Sequence, residues 1–248
     1  MNVAAGIHSV DSGTGTDDTA AANRLLGCLA PADRARLLAA GEFTRFGADS
    51  LIARRGDSIS QIQFPVSGYA ALMIRGADAA TVHVAWVGCE GMIGWESLLG
   101  RSGYLLDVLV PETLSVLRID ISGFQAGFAA ASHCRRLQFE NLSELFTVVA
   151  RSALCARFHI LEARLARCLL EVHDRHPEVP IRLTQTRLAG LLGVRRSGVT
   201  TAATHLQMLG LIQYRSGEIK VLDRQRLQAA ACDCDRFDGR SVGRIPVR

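Results

Sequence analysis

The side chains best suited to reading a polyanion lie close together near the carboxy-terminal end of this chain. Arg195 and Arg196 stand side by side, followed by Ser197 and then by Thr200, Thr201 and Thr204. An arginine fork donates two hydrogen bonds to guanine O6 and N7, while serine and threonine hydroxyls reach bases or phosphates. Val199, Ala202, Ala203, Leu206 and Leu209 recur at helical spacing, so the arginines and hydroxyls occupy the opposite face of one helix. A shorter helix precedes it, with Leu188, Leu191 and Leu192 as its apolar stripe and Thr184 as a hydroxyl able to cap its first turn. Gly193 falls at the corner between the two, where a positive φ costs glycine little. Ala189 is small enough to let the helices approach. The spacing of Ala189, Gly193 and Val199 is that of a DNA-binding helix-turn-helix. An ordinary amphipathic helix with a solvated polar face would show the same stripe. It would not explain the next segment, where Leu211–Tyr214, a Ser216-Gly217 turn and Ile219–Leu222 read as two short β runs joined tightly, as in the wing of a winged helix.

The remaining chemistry-bearing residues are sparse. Seven cysteines are scattered along the chain (Cys28, Cys89, Cys134, Cys155, Cys168, Cys232 and Cys234), an odd set that reads as reduced thiols. Only Cys232-Asp233-Cys234 forms a cluster, and two ligands do not complete a zinc site; no metal is expected on this reading. No phosphate-binding loop, Gly-x-Ser-x-Gly elbow or His-Glu-x-x-His pair occurs, so an enzyme is not expected. Net charge is +4, distributed unevenly. Residues 1–125 hold 9 Arg and 13 acidic residues, whereas 126–248 hold 18 Arg, 1 Lys and 11 acidic residues, giving −4 and +8. A basic half that also carries a helix-turn-helix is the electrostatic footprint of a nucleic-acid binder.

These residues need elements to position them. The 248-residue chain is long enough for one large or two small domains, with 48% hydrophobic content. It has no apolar run long enough for a membrane span and no signal-peptide pattern over Met1–Ala22, so a cytoplasmic protein is expected. Residues 1–19, rich in Gly, Ser, Thr and Asp, read as a disordered tail. Ala20–Leu29 and Ala32–Ala40 read as short helices, with Pro31 at a helix start. Short β runs divided by glycine follow: Glu42–Phe46, Ser50–Arg54, Gln61–Pro65, Tyr69–Ile74, Thr81–Val87, Met92–Ile93, Leu105–Val110 and Leu114–Ile119. Such spacing predicts a small antiparallel barrel or jelly roll. Asp120–Ala130 reads as a short helix. Ser132–Phe158, free of Pro and Gly, reads as a long one whose Phe139, Leu142, Leu145, Phe146 and Val149 approach a coiled-coil seam and predict dimerisation. Ile160–Asp174 is a further helix. A loop over 176–180 leads into the helix-turn-helix, and Asp223–Ala231 closes the fold.

A β-roll, a long helix and a carboxy-terminal winged helix-turn-helix, in that order, resemble the Crp/Fnr family of bacterial transcription regulators. The resemblance covers about residues 21–232. It is strongest from Leu183 to Leu227 and also touches the Gly56-Asp57 and Pro65–Gly68 turns. It implies an α+β fold: a cyclic-nucleotide-binding-like sensory β-roll over 20–130, a dimerisation helix over 131–158, a winged helix-turn-helix over 159–232 and a polar tail over 233–248. It implies a homodimer bound to double-stranded DNA at an inverted-repeat operator, with RNA polymerase as a further partner and no membrane.

Carried over by position, Arg195, Arg196, Ser197 and Thr201 would contact bases, and Thr184, Thr186 and Thr200 the phosphate backbone. Ser197 stands where the family often has glutamate. Serine is the less selective acceptor, so the preferred operator should differ.

The roll departs further. Cyclic-nucleotide-binding members use a Gly-Glu pair followed about ten residues later by Arg-Ser. Here Trp95 follows Gly94, Glu96 is displaced by one position, and Arg101-Ser102 arrives early. Tyr104-Leu105 stands at the register expected for the Arg-Ser pair and cannot pair with phosphate. Gly94, Glu96, Arg101 and Ser102 remain the candidate ligand pocket, but a cyclic nucleotide is not expected. Cys28 is alone where an iron–sulfur variant needs a cluster, so that cofactor is not expected either, and His83 on a strand is a lone candidate for haem. The competing reading is a cyclic-nucleotide-responsive module acting through a protein partner.

Overall fold

The computed structural model describes residues 9–13, 17–76, 81–129, 132–175 and 179–236. The chain forms two compact units, one of residues 1–75 and 84–142, the other of 76–83 and 143–248.

The first unit is built from strands whose side chains alternate in burial. Its elements are β1 (Ser9–Gly13), α1 (Asp17–Ala21), α2 (Arg24–Gly27), α3 (Pro31–Ala39), β2 (Gly41–Phe46), β3 (Leu51–Ala53), β4 (Gln61–Gly68), β5 (Ala70–Arg75), the second half, from Val84, of β6 (Thr81–Val87), β7 (Asp107–Leu109), β8 (Leu114–Asp120) and α4 (Ile121–Ala129). One antiparallel sheet has the order β1-β2-β8-β4 and another β3-β7-β5-β6. In the first sheet Phe43 and Phe64 flank Leu117 from either side. Ile62, Phe64, Leu72, Ile93, Leu114, Leu117 and Ile119 are almost fully buried and make the core. β4 is buried over five consecutive residues because helices cover it, with Phe124 of α4 laying its ring 6.1 Å from Phe64. This is the expected β-roll.

Several local readings change. Part of the expected disordered tail is ordered: Ser9–Gly13 pairs with β2 through main-chain hydrogen bonds, which its polar composition does not hinder. The helix expected over Ala20–Leu29 breaks at Asn23. This buried side chain caps α2 by accepting from Leu25 and Leu26 N–H (3.0 and 3.2 Å). It also donates to the Pro65 and Gly91 carbonyls (both 2.9 Å), so its carboxamide is satisfied at both ends. Met92–Ile93 is no strand but a single bridge between Gln63 and Ile93. The β run expected over Leu105–Val110 shortens to β7, because the Leu105 N–H goes to Glu96 instead of a neighbouring strand.

The second unit is mostly helical. α5 (Ser132–Phe158) runs into it from the first, followed by α6 (Leu161–His173), β9 (Ile181–Arg182), α7 (Gln185–Leu192), α8 (Arg196–Met208), β10 (Ile212–Arg215), β11 (Glu218–Val221) and α9 (Arg224–Ala230). α6 packs on α7, α8 and α9, and Leu165, Leu169 and Leu170 of α6, Leu188 of α7, Val199 and Leu206 of α8 and Leu227 of α9 are buried. A small sheet of order β10-β11-β9 completes the winged helix. The start of the expected polar tail is a 3₁₀ turn, Asp233–Arg236, with Cys234 buried. Residues 176–178 of the expected loop and 237–248 of the tail lie outside the described residues.

Candidate nucleic-acid interface

The corner of the helix-turn-helix is fixed by local chemistry. Thr184 caps α7 by accepting the Arg187 N–H at 3.3 Å. Gly193 ends that helix at φ 64°, in the left-handed region where a side chain is strained. Arg164 of α6 donates to the Leu192 carbonyl and so satisfies one of the orphan acceptors at this end. Val199, Ala202, Ala203 and Leu206 turn inward as the stripe predicts, but Leu209 does not: it caps the helix and stays exposed. Close packing rests on Gly198 as well as Ala189, since a Cβ on Gly198 would stand 3.0 Å from the Leu161 side chain.

Inward packing of that stripe leaves the other face of α8 in solvent. Arg195, Arg196, Ser197, Thr200, Thr201 and Thr204 are all exposed. No acidic residue lies in the first turn of α7 or α8. The helix therefore presents a positive dipole end and two guanidinium groups together, the arrangement suited to an anionic backbone. Thr201 donates to the Ser197 carbonyl (3.2 Å) and Thr204 to the Thr200 carbonyl (2.9 Å). With its proton spent on the backbone, Thr201 offers solvent an acceptor oxygen and an apolar methyl. Adenine N6, cytosine N4 and the thymine methyl are the complementary groups. Thr200 shares its one proton between Gln185 Oε1 (2.8 Å) and the Arg196 carbonyl (3.1 Å), which ties α8 to α7. A hydrogen bond from Thr200 to a phosphate oxygen, itself an acceptor, would therefore require its proton to leave both Gln185 and the Arg196 carbonyl. Thr184 and Thr186, at the start of α7, are exposed.

Sequence reasoning missed the basic residues of the wing. Ser216 (φ 52°) and Gly217 (φ 85°) form the tight turn with two positive φ values that suits a two-residue hairpin. Arg215 and Lys220 flank it, both exposed. Tyr214 anchors the wing by donating its hydroxyl to the Leu183 carbonyl (2.9 Å) and its N–H to Gln207 Oε1 (2.8 Å). The signal was present, in basic residues alternating with the apolar Ile212 and Ile219.

The candidate ligand pocket of the roll has a different character. Gly94 (φ 88°) and Gly100 (φ 74°) bracket the 3₁₀ turn Trp95–Leu99. Glu96 within it is buried, and its Oε1 accepts the Leu105 N–H at 3.0 Å. Burial pushes its pKa up, against the pull of the Leu105 N–H and of Arg101. Arg101 and Ser102 follow in solvent. Tyr104 is packed inside, its pKa pushed up to about 12 by burial and by Glu96. Glu96 thereby ties the turn to the segment that precedes β7, and of these residues Arg101 and Ser102 face out.

On α5, Phe139, Phe146 and Val149 are exposed and Leu142 and Leu145 half-buried. Phe139, Leu142, Phe146, Val149, Ala153 and Ala156 are spaced by alternating threes and fours, the seam of a two-stranded coiled coil.

Residues 163–230 match the Crp-like helix-turn-helix domain family. No curated protein matches the sequence significantly. Among solved structures, the c-di-GMP-responsive global regulator CLP of Xanthomonas campestris is similar in fold, at TM-score 0.66 and 18% identity, over 78% of this chain and 100% of that one. FixK2 from Bradyrhizobium japonicum is similar at TM-score 0.67 and 17% identity, over 77% and 98%. A CRP/FNR family regulator from Thermus thermophilus gives TM-score 0.64 and 20% identity over the same shares. Residues 163–230 are thus a Crp-like helix-turn-helix domain, a DNA-binding module, and the chain as a whole has the fold of these solved regulators.

Proposed function

We propose that the protein acts in the cytoplasm as a homodimer that binds a two-fold related operator with sequence preference. The observation that carries this reading is the solvent-facing start of α8, where Arg195, Arg196, Ser197 and Thr201 stand together without an acidic residue in the first turn. The exposed seam on α5 supports pairing with a second copy. Two α8 helices related by such a pairing would enter successive major grooves roughly 34 Å apart. Arg195 and Arg196 would supply guanine and phosphate contacts, Ser197 and Thr201 further base contacts, and Thr184 and Thr186 would fix the register on the backbone. RNA polymerase is the partner the family resemblance implies for a dimer bound beside a promoter. The inward-turned Glu96 supports a roll that takes no cyclic nucleotide through Gly94, Glu96, Arg101 and Ser102.

The test is selection from a random duplex pool at about 0.15–0.2 M salt, where phosphate-only binding is weak. An enriched inverted repeat with half-sites one helical turn apart is expected. Arg196→Ala should relax preference at one position in each half-site, losing about 1–3 kcal/mol of discrimination there. An unchanged preferred sequence would overturn the placement of α8.

A further inference from the structure

Two pairs of potential metal ligands that the chain order keeps far apart meet in the second unit. Cys155 lies in the last turn of α5 and His159 just after it, four positions on. Cys232 and Cys234 follow α9. Their ligand atoms all lie within 4.8 Å of one another. Cys155 Sγ is 3.4 Å from Cys232 Sγ, and Cys234 Sγ is 3.3 Å from His159 Nδ1. The three cysteines are buried, at 1%, 6% and 4% exposure, and His159 is half-buried.

From these distances we infer a mononuclear Cys₃His metal site, suited to Zn²⁺, that clasps the end of α5 to the segment after α9. Three sulfurs and one imidazole nitrogen are a common tetrahedral zinc set. With Zn–S near 2.3 Å and Zn–N near 2.0–2.1 Å, tetrahedral edges come to about 3.8 Å between sulfurs and about 3.6 Å between sulfur and nitrogen. The Cys155–Cys232 and Cys234–His159 separations need to open by a few tenths of an ångström, and the widest pairs, within 4.8 Å, need to close by up to about 1 Å. A multi-iron cluster distributes its ligands over different irons, and four atoms this close leave room for one ion only.

Packing alone is a poor account of the cluster. Isolated buried thiols behave as small hydrophobes within an apolar core, as Cys168 does in the middle of α6. Cys155, Cys232 and Cys234 instead form a satellite cluster of their own, with Ala163 as the apolar residue packed against it. Three thiolates around Zn²⁺ carry a net charge of −1, which in a buried site needs compensation. Arg167, buried on α6, lies near enough to feel Cys155 and Cys232. It pairs with Glu171, while its Nε has no hydrogen-bond partner among the described residues. The clasp is independent of how the protein reads DNA.

The experiment uses the full chain, purified reduced and without a metal-affinity step. Its zinc content is measured, and the metal-free protein is titrated with Co²⁺ and then Zn²⁺. We expect one Zn²⁺ per chain and, with Co²⁺, the intense visible bands of tetrahedral thiolate coordination, bleached by Zn²⁺. Cys234→Ser and Cys232→Ser should each weaken binding by more than the roughly 10–100-fold that loss of an outer-shell partner costs. Cys168→Ser, a buried thiol outside the cluster, should keep the cobalt spectrum, which separates ligand loss from general destabilisation. Three results would overturn the site: no tetrahedral Co²⁺ spectrum from folded, reduced wild-type protein; unaltered binding in Cys234→Ser; or a Cys155–Cys232 disulfide in protein kept under reductant.

Discussion

The seam on α5 allows a quantitative test of dimerisation. Phe146 is 75% exposed in the single chain, so its ring contributes little to the fold of one protomer. Burying a phenylalanine side chain fully is worth about 1.5–3 kcal/mol, and three quarters of that is roughly 1–2 kcal/mol. A two-fold interface buries the residue once from each copy, so Phe146→Ala should cost about 2–4 kcal/mol per dimer. That corresponds to roughly a 30- to 1,000-fold rise in the dimer dissociation constant. Sedimentation equilibrium over a wide concentration range measures it directly, and urea unfolding of dilute protein checks that the protomer fold is unchanged. Operator affinity should fall with dimerisation and recover as protein concentration rises. A dissociation constant unchanged by Phe146→Ala would refute the reasoning and leave this face to another partner. Loss of protomer stability by about 1–2 kcal/mol or more would refute it equally, since the ring would then be part of the fold.

Two further outcomes follow from the sites described. Glu96 has its pKa raised by burial. The folded state therefore holds this proton more tightly than the unfolded chain, and the associated stability is complete below the unfolded pKa and lost as pH rises through the folded one. Glu96→Gln, which keeps an acceptor for the Leu105 N–H, should be more stable than the parent at pH 7, with the difference shrinking toward pH 4.5; denaturant melts at both pH values check this, and no difference at pH 7 would contradict it. Lys220→Ala on the wing should weaken binding to operator and random DNA alike and reduce the salt slope by about 0.9 per lost phosphate contact, hence about 1.8 per dimer; an unchanged slope in filter binding across salt concentrations would remove the wing from the interface.

What the sequence made legible was local. Ser132–Phe158 emerges as one helix with the bounds read from it, because an unbroken 3.6-residue period without Pro or Gly leaves the backbone no cheaper alternative. Gly193 at a positive φ, the Thr184 cap and the Ser216-Gly217 turn follow from residue types that favour those conformations by themselves. The solvent face of α8 shares this legibility, since an inward stripe by itself leaves the other face of a helix out. Hidden features depend on partners distant in sequence. Asn23 breaks a helix because Pro65 and Gly91, 42 and 68 positions away, present carbonyls to it. Composition makes the residues after Ala231 a polar tail, and Cys232 and Cys234 by themselves offer only two ligands; Cys155, which meets Cys232, sits 77 residues upstream. A helix face is encoded by period, whereas a tetrahedral site is encoded by where two segments meet. Cys155 and His159 have the i, i+4 spacing that puts two ligands on one helix face, so half of the geometry was visible in the chain; only the fold supplied the other half.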